Sequence, residues 1–312
     1  MKIVRGLENL KNSYSNVVLT IGNYDGVHLG HQKILSDVIK KAREINGTSM
    51  VMTFEPHPVK VLSPERDIKL LTTFEEKAKI IGRLGIDVLL CVNFDKNFAS
   101  LKPDEFVKDI LVEKLKVKAV IVGSNYTFGR HKKGKIPLLR RRGKKFGFSV
   151  KAVRQVKIHG IVVSSSAIRS LLLRGAVHEA SLFLGRPYSI EGVVIKGKGR
   201  GAKLLNVPTA NIETPFEVTP KDGVYAVRVE LNDNLYDGVA NIGKNPTFGN
   251  SLTSYEVHIF DFNDNILDKR LKIYFIDRIR SEKKFPDIKA LEEQIRKDIT
   301  KAKEILGEKR IF

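Results

Sequence analysis

Residues 17–31 read Val-Val-Leu-Thr-Ile-Gly-Asn-Tyr-Asp-Gly-Val-His-Leu-Gly-His. The apolar, β-branched run that opens this stretch has the length of a buried strand. Downstream, Ile34, Leu35, Val38, Ile39 and Ala42 recur at helical spacing. A strand, a tight turn and a helix are therefore expected. Gly22, Gly26 and Gly30 let the backbone approach a ligand closely, and a helix beginning near His31 points free N–H groups at the turn. Such a turn suits a phosphate. His28 and His31, one helical turn apart, add donors where charge builds up on a phosphoryl group. The same spacing also fits a metal site or plain helix capping. Cys91 is the only cysteine and sits in an apolar run, so a thiolate-rich zinc site is excluded and Cys91 reads as inert core.

Working outward, further strand-like runs occur at 49–54, 88–94 and 117–123, with helical patterns at 74–84 and 104–115 between them. This βαβ rhythm predicts a mostly parallel sheet, in which ligands collect beyond the carboxyl ends of the strands. One end is the histidine turn. A second runs into Phe54-Glu55-Pro56-His57-Pro58, where prolines stiffen the chain and Phe54 offers a flat surface. A third is Val122-Gly123-Ser124-Asn125-Tyr126-Thr127-Phe128-Gly129. Val163-Ser164-Ser165-Ser166-Ala167-Ile168-Arg169 then places three hydroxyls and an arginine at a helix start, chemistry suited to phosphate capture. Gly175 and Gly185 read as the ends of helices over 164–174 and 177–184, and Arg186-Pro187 as a linker.

After the linker, residues 188–276 alternate apolar and polar side chains in short runs, which predicts a small antiparallel barrel. A helix over 287–306, with Ile288, Leu291, Ile295, Ile299, Ala302 and Ile305 on one face, closes it. Two domains are expected, 1–185 and 186–312. The loop 192–201, Gly-Val-Val-Ile-Lys-Gly-Lys-Gly-Arg-Gly, can fold amides and positive charge around phosphates. In Val207-Pro208-Thr209-Ala210-Asn211, two oxygen-bearing side chains share a strand face, where they can share Mg2+ with ATP phosphates; a turn with a buried Thr is the other reading.

The chain carries 55 basic and 35 acidic side chains, a net charge of +20 that favours anionic ligands. Every charged side chain from Arg130 to Lys157 is basic or His, which suits a solvated face or a nucleic-acid surface. Only Phe146 and Phe148 fall within that stretch, too few to read as interleaving for base stacking, and Lys- and Glu-rich composition also suits a thermophile. One cysteine, a charged N-terminus and the lack of a membrane-length apolar run predict a cytoplasmic protein with no membrane partner.

The decapeptide from Gly22 to His31 resembles the nucleotidylyltransferase signature built on His-x-Gly-His, and in particular its flavin branch, G-x-F-D-G-x-H-x-G-H, with Tyr24 in the Phe position. The other strand-end motifs resemble that branch's T-F-x-P-H-P, V-G-x-D/N-F-x-F-G and I-S-S-T-x-I-R, with Val163 for Ile and Ser166 for Thr. The second half resembles riboflavin kinase in P-T-A-N after a glycine-rich loop, Gly223-Val224-Tyr225, the run 238–243, Glu256-x-His258-Ile259-Phe260-Asp261-Phe262 and Arg280-x-x-x-Lys284-Phe285. Asn206-Val207 stands where that family usually has Gly-Phe. Together these resemble the bifunctional bacterial riboflavin kinase/FMN adenylyltransferase family.

That resemblance implies a Rossmann-like nucleotidylyltransferase domain followed by a helix-closed barrel. It implies two reactions, riboflavin with ATP giving FMN and ADP, and FMN with ATP giving FAD and pyrophosphate. His28, His31, Asn125 and Arg169 would stabilise adenylyl transfer. Gly22, Tyr24, Asp25, Gly30, Phe54, Pro56, Pro58, Thr127, Ser164, Ser165 and Ser166 would bind its substrates. In the barrel, Glu256 would take the ribityl hydroxyl proton, Thr209 and Asn211 would hold Mg2+, and Gly197, Gly199, Gly201, Lys203 and Pro208 would bind ATP. Arg280 would touch flavin. An oligomer is possible and no nucleic-acid partner is expected. A transferase for another phosphorylated substrate and a non-catalytic nucleic-acid-binding protein are the competing readings.

Overall fold

The structure is a computed structural model and describes residues 1–10, 14–196, 208–244 and 253–308. By contacts it divides into two compact units, Met1–Ser165 and Ser166–Phe312.

The first unit is built on β1 (Lys2–Arg5), β2 (Val18–Ile21), β3 (Ser49–Glu55), β4 (Val88–Asn93) and β5 (Ala119–Gly123). The short pair β6 (Thr127–Phe128) and β7 (Gly134–Lys135) comes next, then β8 (Ser149–Val153) and the short pair β9 (Lys157–Ile158) and β10 (Ile161–Val162). Six strands form a parallel sheet in the order β1-β4-β3-β2-β5-β8. Its inner strands β2, β4 and β5 are predominantly apolar because both faces are covered. Leu19, Ile21, Met50, Met52, Leu90 and Val120 enter one core, while Val18, Val51, Leu89, Cys91 and Ile121 enter the other. The helices Leu29–Glu44 and Phe74–Arg83 supply Leu35, Val38, Ala78 and Ile81 to the second. β1 and β8 lie at the sheet edges and were not expected from the sequence. Only Val4 of β1 and Val153 of β8 are buried, so neither strand carries the apolar run that marks a central one.

The second unit is a closed antiparallel barrel of β11 (Tyr188–Ile195), β12 (Ala210–Glu213), β13 (Gly223–Leu231), β14 (Asn234–Lys244), β15 (Thr253–Ile259) and β16 (Arg270–Arg280). The strands close in the order β11-β12-β15-β14-β13-β16. Tyr225, Val227, Val229, Ile273 and Phe275 fill its buried layer. The helix Ile288–Glu308 lays Ala302 and Leu306 on Ala226, Phe260 and Ile276. Its seating differs from the periodicity: Ile288 is exposed, whereas Asp298 is buried because it pairs with Arg280 of β16. Helices Ser165–Leu173 and Val177–Leu184 end at Gly175 and Gly185, both with positive φ. They group with the barrel, and the Lys221 amide donates to the Leu172 carbonyl at 3.0 Å.

Candidate functional site

In the first unit, β3, β2 and β5 are adjacent and parallel, so the loops at their carboxyl ends are neighbours. The histidine turn lies in the middle. Tyr24, Gly26 and Val27 all have positive φ, which is costly for an aromatic and a β-branched residue. The surroundings hold the turn in that shape. The buried Asp25 accepts from the amides of Leu71 at 2.8 Å and Thr72 at 3.3 Å, and Gly26 N–H donates to Thr72 Oγ1 at 3.1 Å. Ser165 Oγ donates to the Asp25 carbonyl at 2.9 Å, and the Tyr24 hydroxyl meets Thr20 Oγ1 at 2.5 Å. Asp25 and Ser165, read from the sequence as ligand-binding, thus shape the turn.

His28 caps the helix Leu29–Glu44, its Nδ1 accepting the His31 amide at 3.3 Å. This leaves the neutral imidazole of His28 with its proton on Nε2. The two imidazoles stack with centroids 3.6 Å apart and planes 15° apart, and Tyr24 lies 4.9 Å from His31. Gly30 permits this stack, since a Cβ there would lie 3.1 Å from His28 Cε1. Burial, then His28 and Lys77, hold the pKa of His31 well below the ordinary imidazole value, so it is neutral at physiological pH. His31 Nδ1 is buried without a hydrogen-bond partner among the described residues, which favours the proton on Nε2.

Beside the turn, Phe54 meets Phe94 at 5.5 Å and Phe98 at 5.7 Å. The aromatic chain continues through Phe106 to Phe128 and Tyr126. Phe98 was not singled out in the sequence, where it falls between the strand-like run 88–94 and the helical pattern 104–115; in the structure it sits in the short helix Lys96–Ser100. Pro56 is exposed, Pro58 opens a short helix, and His57 caps it by accepting the Val59 amide at 3.2 Å. On the other side, Asn125 and Thr127 are exposed beyond β5. Ser164 is half-buried at the start of the helix Ser165–Leu173. Ser166 and Arg169, on that helix, fall in the second unit. Lys77 was not flagged in the sequence either. It is buried, and its Nζ donates to the Asn23 carbonyl of the turn at 3.3 Å.

In the barrel, the strand register assembles a row. Asn211 of β12 faces Glu256 of β15, Glu256 faces Asn241 of β14, Asn241 faces Val224 of β13, and Val224 faces Arg280 of β16. Residues directly opposite share a sheet face, so Asn211, Glu256 and Asn241 stand side by side. All three are half-buried, while their strand neighbours Ile212, Tyr255, Val257 and Ile242 are buried. Pro208 and Thr209 are exposed just before β12, and His258 Nδ1 meets the Pro208 carbonyl at 2.8 Å. Arg280 grips Asp298 through Nε and Nη2, at 2.9 and 2.7 Å, so its guanidinium is held by the closing helix. Glu282, which the sequence did not flag, lies two residues further along the chain. Partial desolvation, then Asp222 and Glu256, raise its carboxyl above the ordinary range against the pull of Arg280. Gly197, Gly199, Gly201 and Lys203 lie outside the described residues.

Thr209 and Asn211 supply uncharged oxygen donors two residues apart, with a carboxylate across the strand. That donor set fits a hard cation such as Mg2+.

Two family models match the chain, FAD synthetase over residues 10–167 and riboflavin kinase over residues 184–306. A protein of Buchnera aphidicola from Schizaphis graminum named bifunctional riboflavin kinase/FMN adenylyltransferase is 39% identical, over 96% of this chain and 97% of that protein. A protein of the same name from Escherichia coli K12 is 36% identical over 98% of each. A crystal structure of a protein named macrolide-efflux protein, from Streptococcus pneumoniae, shares the fold with a TM-score of 0.90 at 31% identity, covering 97% of this chain and 99% of that one. Among the described residues, no helix is long and apolar enough to cross a membrane.

Proposed function

The chain belongs to the bifunctional riboflavin kinase/FMN adenylyltransferase family, and from that premise we propose that its two units divide two successive reactions of ATP between them. In the barrel, the ribityl hydroxyl of riboflavin attacks the γ-phosphorus of ATP; the hydroxyl proton goes to a carboxylate and ADP leaves. In the parallel-sheet half, a phosphate oxygen of FMN attacks the α-phosphorus of a second ATP; a P–O bond forms, the bond to the β-phosphate breaks, and pyrophosphate leaves with FAD formed. The observation that supports this reading is that the two family matches divide the chain as the motifs do, with β3, β2 and β5 adjacent in the sheet of the first match and Asn211, Glu256 and Asn241 in one register row of the second.

Neither reaction needs a covalent enzyme intermediate, so positioning and charge stabilisation do the work. Glu256 is the base for the kinase, standing between Asn211 and Asn241. Thr209 and Asn211 would hold Mg2+, which when bound neutralises charge on the ATP phosphates. His258 keeps the Pro208 carbonyl, and hence the P-T-A-N segment, against β15. In the other half, the Nε2–H groups of His28 and His31 donate to phosphoryl oxygens, the aromatic group around Phe54 receives the isoalloxazine, and Asn125, Ser164, Ser166 and Arg169 contact phosphates. By motif, residues 1–185 serve adenylyl transfer and 186–312 serve the kinase. A cytoplasmic setting suits both substrates and the single buried cysteine.

The test is a time course with riboflavin, ATP and Mg2+, resolving riboflavin, FMN and FAD by chromatography. FMN should rise first and FAD should follow. FMN without FAD, even when FMN is offered directly under reducing conditions, would remove the adenylyltransferase half; neither product would remove both.

A further inference from the structure

Lys77 lies in the first turns of the helix Phe74–Arg83 and is only 6% exposed. Burying an ammonium is costly unless its surroundings compensate. Here they do so by tying two loops together. Lys77 Nζ donates to the Asn23 carbonyl in the histidine turn and to Thr53 Oγ1 of β3, both at 3.3 Å, and Thr53 Oγ1 in turn donates to the same carbonyl at 3.2 Å. The ring of Phe74 lies 5.6 Å away, a cation–π contact. Asn23 directly precedes Tyr24, the first of the positive-φ residues of the turn, and Thr53 directly precedes Phe54.

We propose that Lys77 is a positioning residue for adenylyl transfer: its buried ammonium fixes the histidine turn to the end of β3 and sets a positive charge beside the site where phosphates react. This rests on the reading that the parallel-sheet half carries that reaction. Lys77 is buried, and its ammonium bonds to the Asn23 carbonyl and to Thr53. Four groups of opposite or potential negative charge face it: Asp25 from the turn, Glu55 from β3, Cys91 from β4 and Glu75 from its own helix. Burial, the largest influence, lowers the pKa of Lys77, and these four groups oppose that shift. The same ammonium, together with burial and His28, disfavours protonation of His31. Lys77 thus keeps a cation at the site without requiring a charged imidazole, so His31 remains a neutral donor.

The test is Lys77→Met, which keeps the length of the side chain and removes its charge and donors. Conversion of FMN to FAD should slow by about 10- to 100-fold, the scale expected when reacting groups are misplaced by a small distance. Conversion of riboflavin to FMN by the same protein should be unchanged, which reports a folded chain. The acid limb of the adenylyl-transfer pH profile should move to higher pH, because His31 without the neighbouring cation protonates more readily. Lys77→Gln, which keeps donor hydrogens for Asn23 but no charge, should recover part of the rate and retain the displaced limb; it also decides the matter if the Met variant does not fold. Both acid limbs staying at the wild-type position, with wild-type rates per folded molecule, would overturn the inference. Absence of FAD formation in the wild-type protein would instead overturn the underlying assignment.

Discussion

Glu256 and His28 separate the two reactions at the level of single side chains. Glu256→Gln should abolish FMN formation while FMN supplied from outside is still converted to FAD; His28→Ala should do the reverse. Product chromatography on the two variants checks both, and equal loss of both steps in either would contradict the division. A second prediction concerns His31. Its folded pKa is depressed by burial, so between that value and the unfolded 6.5 the unfolded chain binds more protons than the folded one. Stability is therefore fully present above about pH 6.5 and is lost as pH falls below it. Urea unfolding of the first unit should show this, and His31→Asn should flatten the dependence. Tyr24 shows what sequence could and could not tell. The resemblance flagged it as standing in a Phe position, but its hydroxyl is accommodated by Thr20, four residues earlier on β2. That pairing depends on the positive φ of Tyr24, which no periodicity reveals. Thr20→Val should leave a buried phenol hydroxyl unpaired and cost about 1–3 kcal/mol of stability in urea titration.

At the scale of elements, the closing helix is joined to the kinase row through one ion pair. Asp298 is buried and holds Arg280 at the end of β16, in register with Val224 and, through it, Asn241 and Glu256. Asp298→Ala leaves a partly buried guanidinium without its carboxylate, so the barrel should lose about 2–3 kcal/mol. FMN formation should fall while the conversion of supplied FMN to FAD persists. Thermal unfolding and the two assays distinguish these effects. The position of Asp298 was not legible in the sequence, since an acidic residue on an amphipathic helix reads as solvent-facing. The barrel itself was legible, because strands such as β13 alternate, with Arg228 and Glu230 half-buried between buried Val227, Val229 and Leu231. The central strands of the parallel sheet were legible for the opposite reason, being apolar on both faces. β1 and β8 were not, because an edge strand with one buried side chain has no pattern that distinguishes it from a loop. The same limit applies to Lys77 and Phe98, whose placement follows from how helices and loops fold over the strand ends.

At the scale of the whole molecule, the serine-arginine motif straddles the division between compact units. Ser164 and Ser165 belong to the first, while Ser166 and Arg169 belong to the second. The chain was expected to divide at 185/186, where the motifs change, yet the helix Val177–Leu184 buries Val177, Ala180, Phe183 and Leu184 and packs on β16 and β11 of the barrel. Function and packing therefore need not part at the same residue. A fragment spanning 166–312 keeps this apolar cover, whereas one spanning 186–312 exposes the barrel surface beneath it. Burial of three large apolar side chains contributes about 5–9 kcal/mol as an upper figure. The longer fragment should unfold at the higher temperature, and should phosphorylate riboflavin at a rate at least equal to that of the shorter one. Equal melting temperatures would place the kinase boundary at 186, as the motifs suggest; a clear difference would show that a helix pair assigned by motif to adenylyl transfer also stabilises the kinase.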